Sequence, residues 1–185
     1  MSAEPEPLPI ETRWAERRDL PRLRALMERA IEALQHGLLS PEQIAASHAI
    51  MGLDTQLVED GTYLIAERGD IAVGCGGWSG RATLYGGDHG VGLRAPALLD
   101  PAIYPARIRA MYTHPDHARQ GIGRRILAEC EAAAAGAGFS TVELMATLSG
   151  QRLYAVSGYT AIENVVHAVD GVAVPLVRMR KRIAG

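Results

Sequence analysis

Two spaced glycines, Gly121 and Gly123, stand where a strand-like run gives way to a helix-like one, and they could bind an anion. The apolar run ends at Thr113, and residues with helical spacing begin at Ile122. A helix that starts here leaves backbone N–H groups free at its N-terminus, where the macrodipole favours negative charge. Glycine lacks the Cβ atom that would keep a phosphate away from the backbone. The pattern therefore predicts a seat for a pyrophosphate.

Positive charge surrounds this loop, because Arg119, Arg124 and Arg125 lie within it or at the start of the helix. A glycine-containing turn that binds nothing would show the same local pattern, so this alternative stays open. Two other phosphate-binding motifs are excluded. The chain has no G-x-x-x-x-G-K-[ST], and Ile126 stands where a dinucleotide-binding fingerprint carries its third glycine.

A second motif lies downstream, in the segment Leu-Tyr-Ala-Val-Ser-Gly-Tyr at residues 153–159. Together, the two segments resemble the GNAT superfamily of acyl-CoA-dependent N-acyltransferases, whose patterns are [Q/R]-x-x-G-x-[G/A] and Y-x-x-x-G-[F/Y]. Residues 118–123 match both glycines of the first pattern, and Thr113-His114-Pro115 resembles the family's V-x-P approach. The first position departs from the pattern, because Ala118 stands there and an arginine follows one place later.

The resemblance implies an α/β fold, a mixed and mainly antiparallel sheet flanked by helices, with acetyl-CoA as cosubstrate. It implies that one strand bonds the pantetheine arm through its main chain and that the loop amides hold the pyrophosphate. The cofactor-binding residues would be Met111, Tyr112, Thr113, Arg119, Gln120, Gly121, Ile122, Gly123 and Arg124. Tyr154 would be the catalytic residue that gives a proton to the leaving thiolate, although an aromatic that packs its helix against the sheet fits the same position.

The general base is not evident from the sequence. Glu143 is one of few acidic residues in the second half of the chain, but on an alternating strand we expect it to face solvent. The family often carries an asparagine six residues before the tyrosine, and here that position is Leu148.

The elements that must position these residues alternate between strands and helices in the middle of the chain and form hairpins towards both ends. The predicted strands cover residues 10–15, 62–67, 71–78, 107–113, 141–147, 160–169 and 172–183. The predicted helices begin after Asp19, at Ser40, at Gly121 and near Gly150. Residues 1–9 are expected to be a disordered tail, and residues 10–185 a single domain.

Eight glycines lie between Gly74 and Gly92, a stretch that can support close backbone approach or a mobile loop, and we expect a flexible surface connection. Residues 84–105 have little periodicity and read as an insertion near the acceptor side of a GNAT fold. Within it, Asp88 and His89 are candidate polar contacts, although solvated loop positions are expected.

Composition excludes several functional classes. A net charge of −2 and an aromatic content of 5% give no reason to expect a nucleic-acid partner. The first residues lack the basic and apolar regions of a signal peptide, and no apolar run approaches membrane-spanning length, so we expect a cytoplasmic protein without a membrane partner.

Histidine and cysteine offer weaker alternatives. His114 and His117 lie three residues apart, but no third ligand is evident, and we expect no metal. Cys75 and Cys130 are expected to be buried small hydrophobic residues rather than nucleophiles. His48 could be a ligand or a base, but a lone helical histidine is more often surface or core.

The sequence therefore predicts an N-acetyltransferase that moves an acetyl group from acetyl-CoA to a primary amine in a ternary complex. The amine could belong to a small molecule or to a peptide. A non-catalytic acyl-CoA sensor or regulatory module is the alternative, and a homodimer is possible.

Overall fold

The computed structural model describes residues 8–183 and contains a seven-stranded sheet in the order β1-β2-β3-β4-β5-β7-β6. The strands are β1 Ile10–Trp14, β2 Tyr63–Arg68, β3 Ile71–Ser79, β4 Ala106–Thr113, β5 Thr141–Ala146, β6 Thr160–Val169 and β7 Val172–Arg182. All neighbouring strands are antiparallel except β4 and β5, which run parallel. The predicted mixed, mainly antiparallel sheet is confirmed.

Five α-helices flank this sheet within the described residues. They are α1 Leu20–Leu34, α2 Pro41–Ile50, α3 Thr55–Glu59, α4 Ile122–Gly136 and α5 Gln151–Val156. The four predicted helices are confirmed within one or two residues at most ends, and the five-residue α3 was not predicted. Ser40 starts α2 with a capping box, in which its hydroxyl accepts from the Gln43 N–H and the Gln43 side chain accepts from the Ser40 N–H.

The predicted disordered tail falls mostly on residues 1–7, which lie outside the described residues, as do residues 184 and 185. No helix within residues 8–183 combines the length and apolarity that a membrane crossing needs.

The helices divide between the two faces of the sheet. One face packs on α4 through a core that includes Ile122, Ile126 and Cys130, and the other packs on α1 through Leu23 and Met27. Alternation along the strands sends successive side chains to opposite faces, so one strand contributes to both cores.

The first glycines of the glycine-rich stretch lie in the strand predicted at residues 71–78, which is confirmed, and not in a flexible connection. Gly74, Gly76 and Gly77 belong to β3, and the strand is buried at these positions. A Cβ atom on Gly77 would lie 2.7 Å from the Thr62 carbonyl oxygen, so the glycine permits a close approach between β2 and β3. Only the later glycines lie in the connection to β4.

A β-bulge in β4 opens the centre of the sheet. The register of β3 against β4 shifts between Cys75 and Gly77, and Ala110 adopts a left-handed conformation with φ of 51°. The two parallel strands pair only at Ala106–Val142 and Arg107–Glu143. Beyond these pairs β4 and β5 separate, and a cleft forms between them.

Candidate active site

A cleft of about 690 Å³ occupies the gap between β4 and β5. Its walls come from β4 and the loop that follows it, from the start of α4, from α5, and from the ends of α1 and α2. Parallel strands that separate expose unpaired main-chain groups, so this cleft can accept an extended ligand that bonds the strand edge.

One end of the cleft is lined by residues 118, 119 and 121–124 and is here called the loop end. Gly121 is the N-cap of α4 with φ of 81°, and it offers no capping side chain to the first turn. Arg119 is also left-handed, with φ of 63°. In the described part of the chain, the N–H groups of residues 122–124 have no internal partner. The loop end therefore presents free donors and a positive dipole, as an anion site requires.

Glycine at the second motif position is explained by the fit of α5. A Cβ atom on Gly123 would lie 3.0 Å from Leu153 Cδ2, so the tip of this α5 side chain would have to shift slightly. Without Cβ atoms at these two positions, the amides of this turn stay open to a bound anion.

Eight of the nine predicted cofactor-binding residues line the cleft. They are Met111, Tyr112, Thr113, Arg119, Gly121, Ile122, Gly123 and Arg124. Gln120 does not line it and is exposed. Arg125, expected to add charge at the phosphate, instead donates to the Ile10 carbonyl and pairs with Glu129 at 3.2 Å. The assignment of the cofactor itself stays a prediction.

Tyr154 lies on α5 and lines the same cleft. Its side chain is 7% exposed, and its ring makes an edge-to-face contact with Tyr159 at 5.7 Å. Burial raises the pKa of the Tyr154 hydroxyl, so this group stays protonated at neutral pH. The residue therefore packs α5 against the core and also lines the cleft, while its role as a proton donor stays a prediction.

The opposite end of the cleft, here called the apolar end, is formed by residues 30, 31, 34 and 35 at the end of α1, by residues 50–52 and 84–86, and by Arg109, Met145 and Leu176. Apolar side chains cover most of it: Ala30, Ile31, Leu34, Ile50, Met51, Leu84, Met145 and Leu176. Among the described residues that line the whole cleft, none is an aspartate, a glutamate or a histidine.

Arg109 is the charged side chain of the apolar end, and it is 5% exposed. Its guanidinium pairs with Asp54 at 2.7 Å and also donates to the Gly86 carbonyl. Burial lowers the pKa of Arg109, and the carboxylate of Asp54 opposes that shift. The pair is thus locally neutral, and its carboxylate is committed to the arginine.

Asp88 was expected to lie in a solvated loop, but it fixes the 84–105 segment to α3. It accepts hydrogen bonds from the Thr55 N–H and hydroxyl, each at 3.0 Å, and from Arg94 at 2.8 Å. His89 is exposed, and neither it nor Asp88 lines the cleft.

Glu143 neither faces solvent, as expected, nor lines the cleft as a base would. Its side chain is fully buried and pairs with Arg107 at 2.5 Å, with Arg178 at 2.8 Å and with Arg180. These guanidiniums hold the pKa of Glu143 below its usual range in spite of burial. Glu143 therefore anchors β4, β5 and β7 to one another beside the cleft.

The cysteines and histidines that the sequence offered as further candidates lie outside the cleft. Cys75 and Cys130 are free and buried, and burial raises the pKa of Cys75 to about 12, so neither thiol is suited to nucleophilic attack. His48 pairs with Glu32 on the surface at 3.2 Å. His114 contacts His117 edge to face, and no cluster of three or more potential metal ligands occurs in residues 8–183.

The sequence did not reveal Tyr85, Arg109 or Asp54 as neighbours of one cleft. Tyr85 lines the apolar end, and its hydroxyl lies 2.9 Å from His167 Nδ1 on β6. These residues come from separate segments and carry no local motif. The one available signal was the pair of arginines, Arg107 and Arg109, within a strand that is otherwise mostly apolar.

Comparisons with known proteins agree with this geometry. Residues 59–161, more than half of the chain, match the family model described as acetyltransferase (GNAT) domain. A search of curated proteins finds no match.

Solved structures share the fold. A GCN5-related N-acetyltransferase from Rhodopseudomonas palustris matches with a TM-score of 0.70 at 19% identity, covering 98% of this chain and 100% of that one. PaiA N-acetyltransferase from Thermoplasma acidophilum, in complex with coenzyme A, matches with a TM-score of 0.60 at 16% identity, covering 95% of this chain and 100% of that one. YncA from Salmonella typhimurium, with its cofactor acetyl-CoA, matches with a TM-score of 0.60 at 17% identity, covering 96% of this chain and 95% of that one.

Proposed function

Because the chain belongs to the GNAT acetyltransferase family, we propose that it transfers the acetyl group of acetyl-CoA to a primary amine by direct attack in a ternary complex. One observation carries this proposal: a single cleft joins an uncapped helix N-terminus, a free strand edge and a protonated tyrosine. Two of the structural neighbours hold coenzyme A or acetyl-CoA, which supports the choice of cosubstrate.

The residues present fit the cosubstrate. The amides at the start of α4 would bind the pyrophosphate, with Arg119 and Arg124 adding positive charge, and the β4 edge from Met111 to Thr113 would bond the pantetheine arm. Bound acetyl-CoA supplies an activated acetyl group and a thiolate leaving group. The cleft holds the amine beside that acetyl group, which provides much of the rate through proximity.

Proton transfers complete the reaction. The amine nitrogen forms a bond to the carbonyl carbon, the carbon–sulfur bond breaks, and the nitrogen gives up one proton. Tyr154 donates its hydroxyl proton to the departing sulfur and is reprotonated by the proton that the nitrogen releases. Because burial raises the pKa of the Tyr154 hydroxyl above its ordinary value, Tyr154 holds its proton until the departing thiolate accepts it, and the tyrosinate so formed readily takes up the proton from nitrogen.

The finer parts of the proposal rest on separate features. Two free, buried cysteines support a reducing cytoplasmic compartment. The edge strand β6 exposes Ile162 and Val166, which supports a homodimer through this edge. We propose that residues 10–185 form a single domain.

The experiment combines calorimetry with product analysis. Titration with acetyl-CoA should show saturable binding, and incubation with a panel of primary amines should yield acetylated product and free thiol in equal amounts. Binding without product from any amine would favour the acyl-CoA sensor instead. Absence of binding by the folded protein would exclude both.

A further inference from the structure

The apolar end of the cleft determines which amines the proposed reaction can use, so this inference rests on the proposed function. A primary amine must reach the acetyl group as the free base, because a protonated nitrogen has no lone pair for attack. An enzyme can bind the ammonium form and deprotonate it, or admit only the uncharged form. The two routes need different side chains in the cleft.

Deprotonation inside the cleft would need a base on its walls. No described residue of the lining is a carboxylate or a histidine. The nearby carboxylates are already paired with arginines: Asp54 with Arg109, Asp88 with Arg94, and Glu143 with three guanidiniums. An ammonium group that entered would therefore find no counter-charge, and burial of an unpaired charge is strongly unfavourable.

The apolar lining makes the same selection by a second route. Ile31, Leu34, Ile50, Met51, Met145 and Leu176 surround the space in which the acceptor would lie. Removal of such surface from water favours an apolar ligand by about 25 cal/mol per Å². A second positive charge on the substrate would find no free carboxylate at this end, because Asp54 is already paired with Arg109.

We propose that the acceptor is an apolar primary amine of low basicity, which enters the apolar end as the free base and carries no second positive charge. At pH 7, about one in ten α-amino groups is uncharged if its pKa is ~8, against about one in 2,500 lysine-type amines at ~10.4. A site that admits only the free base would thus favour the α-amine about 250-fold.

The test compares three amines with the wild-type protein and acetyl-CoA. Phenylalanine amide and 2-phenylethylamine share an aromatic side chain but differ in basicity, and 1,4-diaminobutane is a flexible dication. We expect kcat/KM at pH 7 to be at least tenfold lower for 2-phenylethylamine than for phenylalanine amide, and lower still for 1,4-diaminobutane. Preference for 1,4-diaminobutane would overturn the inference and leave the acetyltransferase proposal intact. Acetylation of none of the three or of any wider amine panel, by protein that binds acetyl-CoA, would instead overturn the proposed function.

The dependence of kcat/KM on pH separates free-base entry from catalysis by a base. For free-base entry, log kcat/KM rises with unit slope up to the pKa of each amine, so the break moves with the substrate. A break at one common pH for all amines would reveal a base in the protein and overturn the inference. His167, which reaches the cleft only through Tyr85, would then be examined through His167→Gln. Within residues 8–183, no carboxylate lies at ion-pairing distance from His167, since the histidines with such a partner are His48 and His114.

A variant of the apolar end provides a gain-of-function test. Met51 is half-buried beside the cleft, and Met51→Glu would add the counter-charge that an ammonium needs, whereas Met51→Gln adds similar volume without charge. We expect Met51→Glu to raise kcat/KM for 1,4-diaminobutane at least tenfold relative to Met51→Gln. Equal values for two variants with unchanged acetyl-CoA affinity and melting temperature would count against the inference.

Discussion

A Cβ atom placed on Gly74 of β3 would lie 2.5 Å from Ile122 Cγ2, at the first residue of α4. The absence of a side chain at Gly74 thus sets how closely the start of α4 approaches the sheet. Because the amides of this same turn form the loop end, a core contact fixes the position of the donors.

We expect Gly74→Val to destabilise the protein by about 1–3 kcal/mol, the usual cost of overpacking, and to weaken acetyl-CoA binding as α4 moves outward. Urea unfolding and calorimetry measure the two effects. Gly136→Ala, at the other end of α4, meets no atom within 4 Å and should be neutral or stabilising by about 0.5–1 kcal/mol. Unchanged acetyl-CoA affinity in Gly74→Val would show that this contact contributes to packing but does not fix the position of the loop-end amides.

Gly121→Glu should abolish measurable acetyl-CoA binding, because it adds a negative charge and a strained left-handed side chain at the loop end. Gly171→Glu is the matched control, since Gly171 has a nearly identical φ of 82° in a hairpin turn with open space around it. Both variants should lose similar stability, but only Gly121→Glu should lose binding. Equal affinities would show that the loop end does not hold the cosubstrate.

Tyr154→Phe should lower kcat by about 10²-fold, the lower range for loss of a general acid, with little change in acetyl-CoA affinity. Tyr159→Phe is a suitable control, because the neighbouring Tyr159 hydroxyl donates to Glu131 at 2.9 Å and does not line the cleft. That variant should lose stability but keep its turnover per folded molecule. Full activity in Tyr154→Phe would limit Tyr154 to packing.

Glu143→Gln should destabilise the protein by about 3 kcal/mol, since it leaves the arginines of β4 and β7 beside one another without their shared anion. Glu163→Gln, at a carboxylate that is 57% exposed and 3.5 Å from Arg178, should cost little. Because Glu143 does not line the cleft, its variant should keep kcat at a temperature where it is folded. A selective loss of kcat would restore Glu143 as a base.

Stability should fall at alkaline pH. Burial raises the pKa values of the tyrosines at positions 63, 112 and 154, and raises that of Cys75 from 9.0 to about 12. Above the ordinary values, the unfolded chain releases these protons while the folded chain retains them, so the free energy of unfolding decreases with rising pH. The decline should begin near pH 9 and continue through pH 12. Urea titrations across this range measure it, and Cys75→Ala should reduce the slope between pH 9 and 12.

The motifs were predictable from the sequence because their physics is local. The loop that begins α4 needs left-handed glycine and free amides, and the Asp170–Gly171 turn needs two residues with positive φ. Hydrophobic periodicity placed the long helices and most strands within one or two residues. Local patterns therefore located the loop end and Tyr154.

The apolar end could not be predicted, because tertiary structure assembles it from distant segments. Glu143 alternates with Val142 and Leu144 like a solvent-facing residue, and only the arginines of β4 and β7 make its burial possible. Gln120 lies within the motif, yet it is exposed and lines no part of the cleft. A strand at residues 71–78 and a flexible connection from Gly74 onward were both expected, because composition does not show which glycines allow close backbone approach.

The short parallel pairing between β4 and β5 also bears on mechanics. Within residues 8–183, the β-ladder pairs that join β1–β4 to β5–β7 lie only at Ala106–Val142 and Arg107–Glu143, so the sheet consists of two halves connected at one end of the cleft. A ligand that hydrogen-bonds to the free edge of β4 would add reversible contacts along the part of the gap where β4 and β5 do not pair. The bound cosubstrate would then make the sheet more rigid. Amide hydrogen exchange in β1–β4 and in β5–β7 should slow together as acetyl-CoA is added.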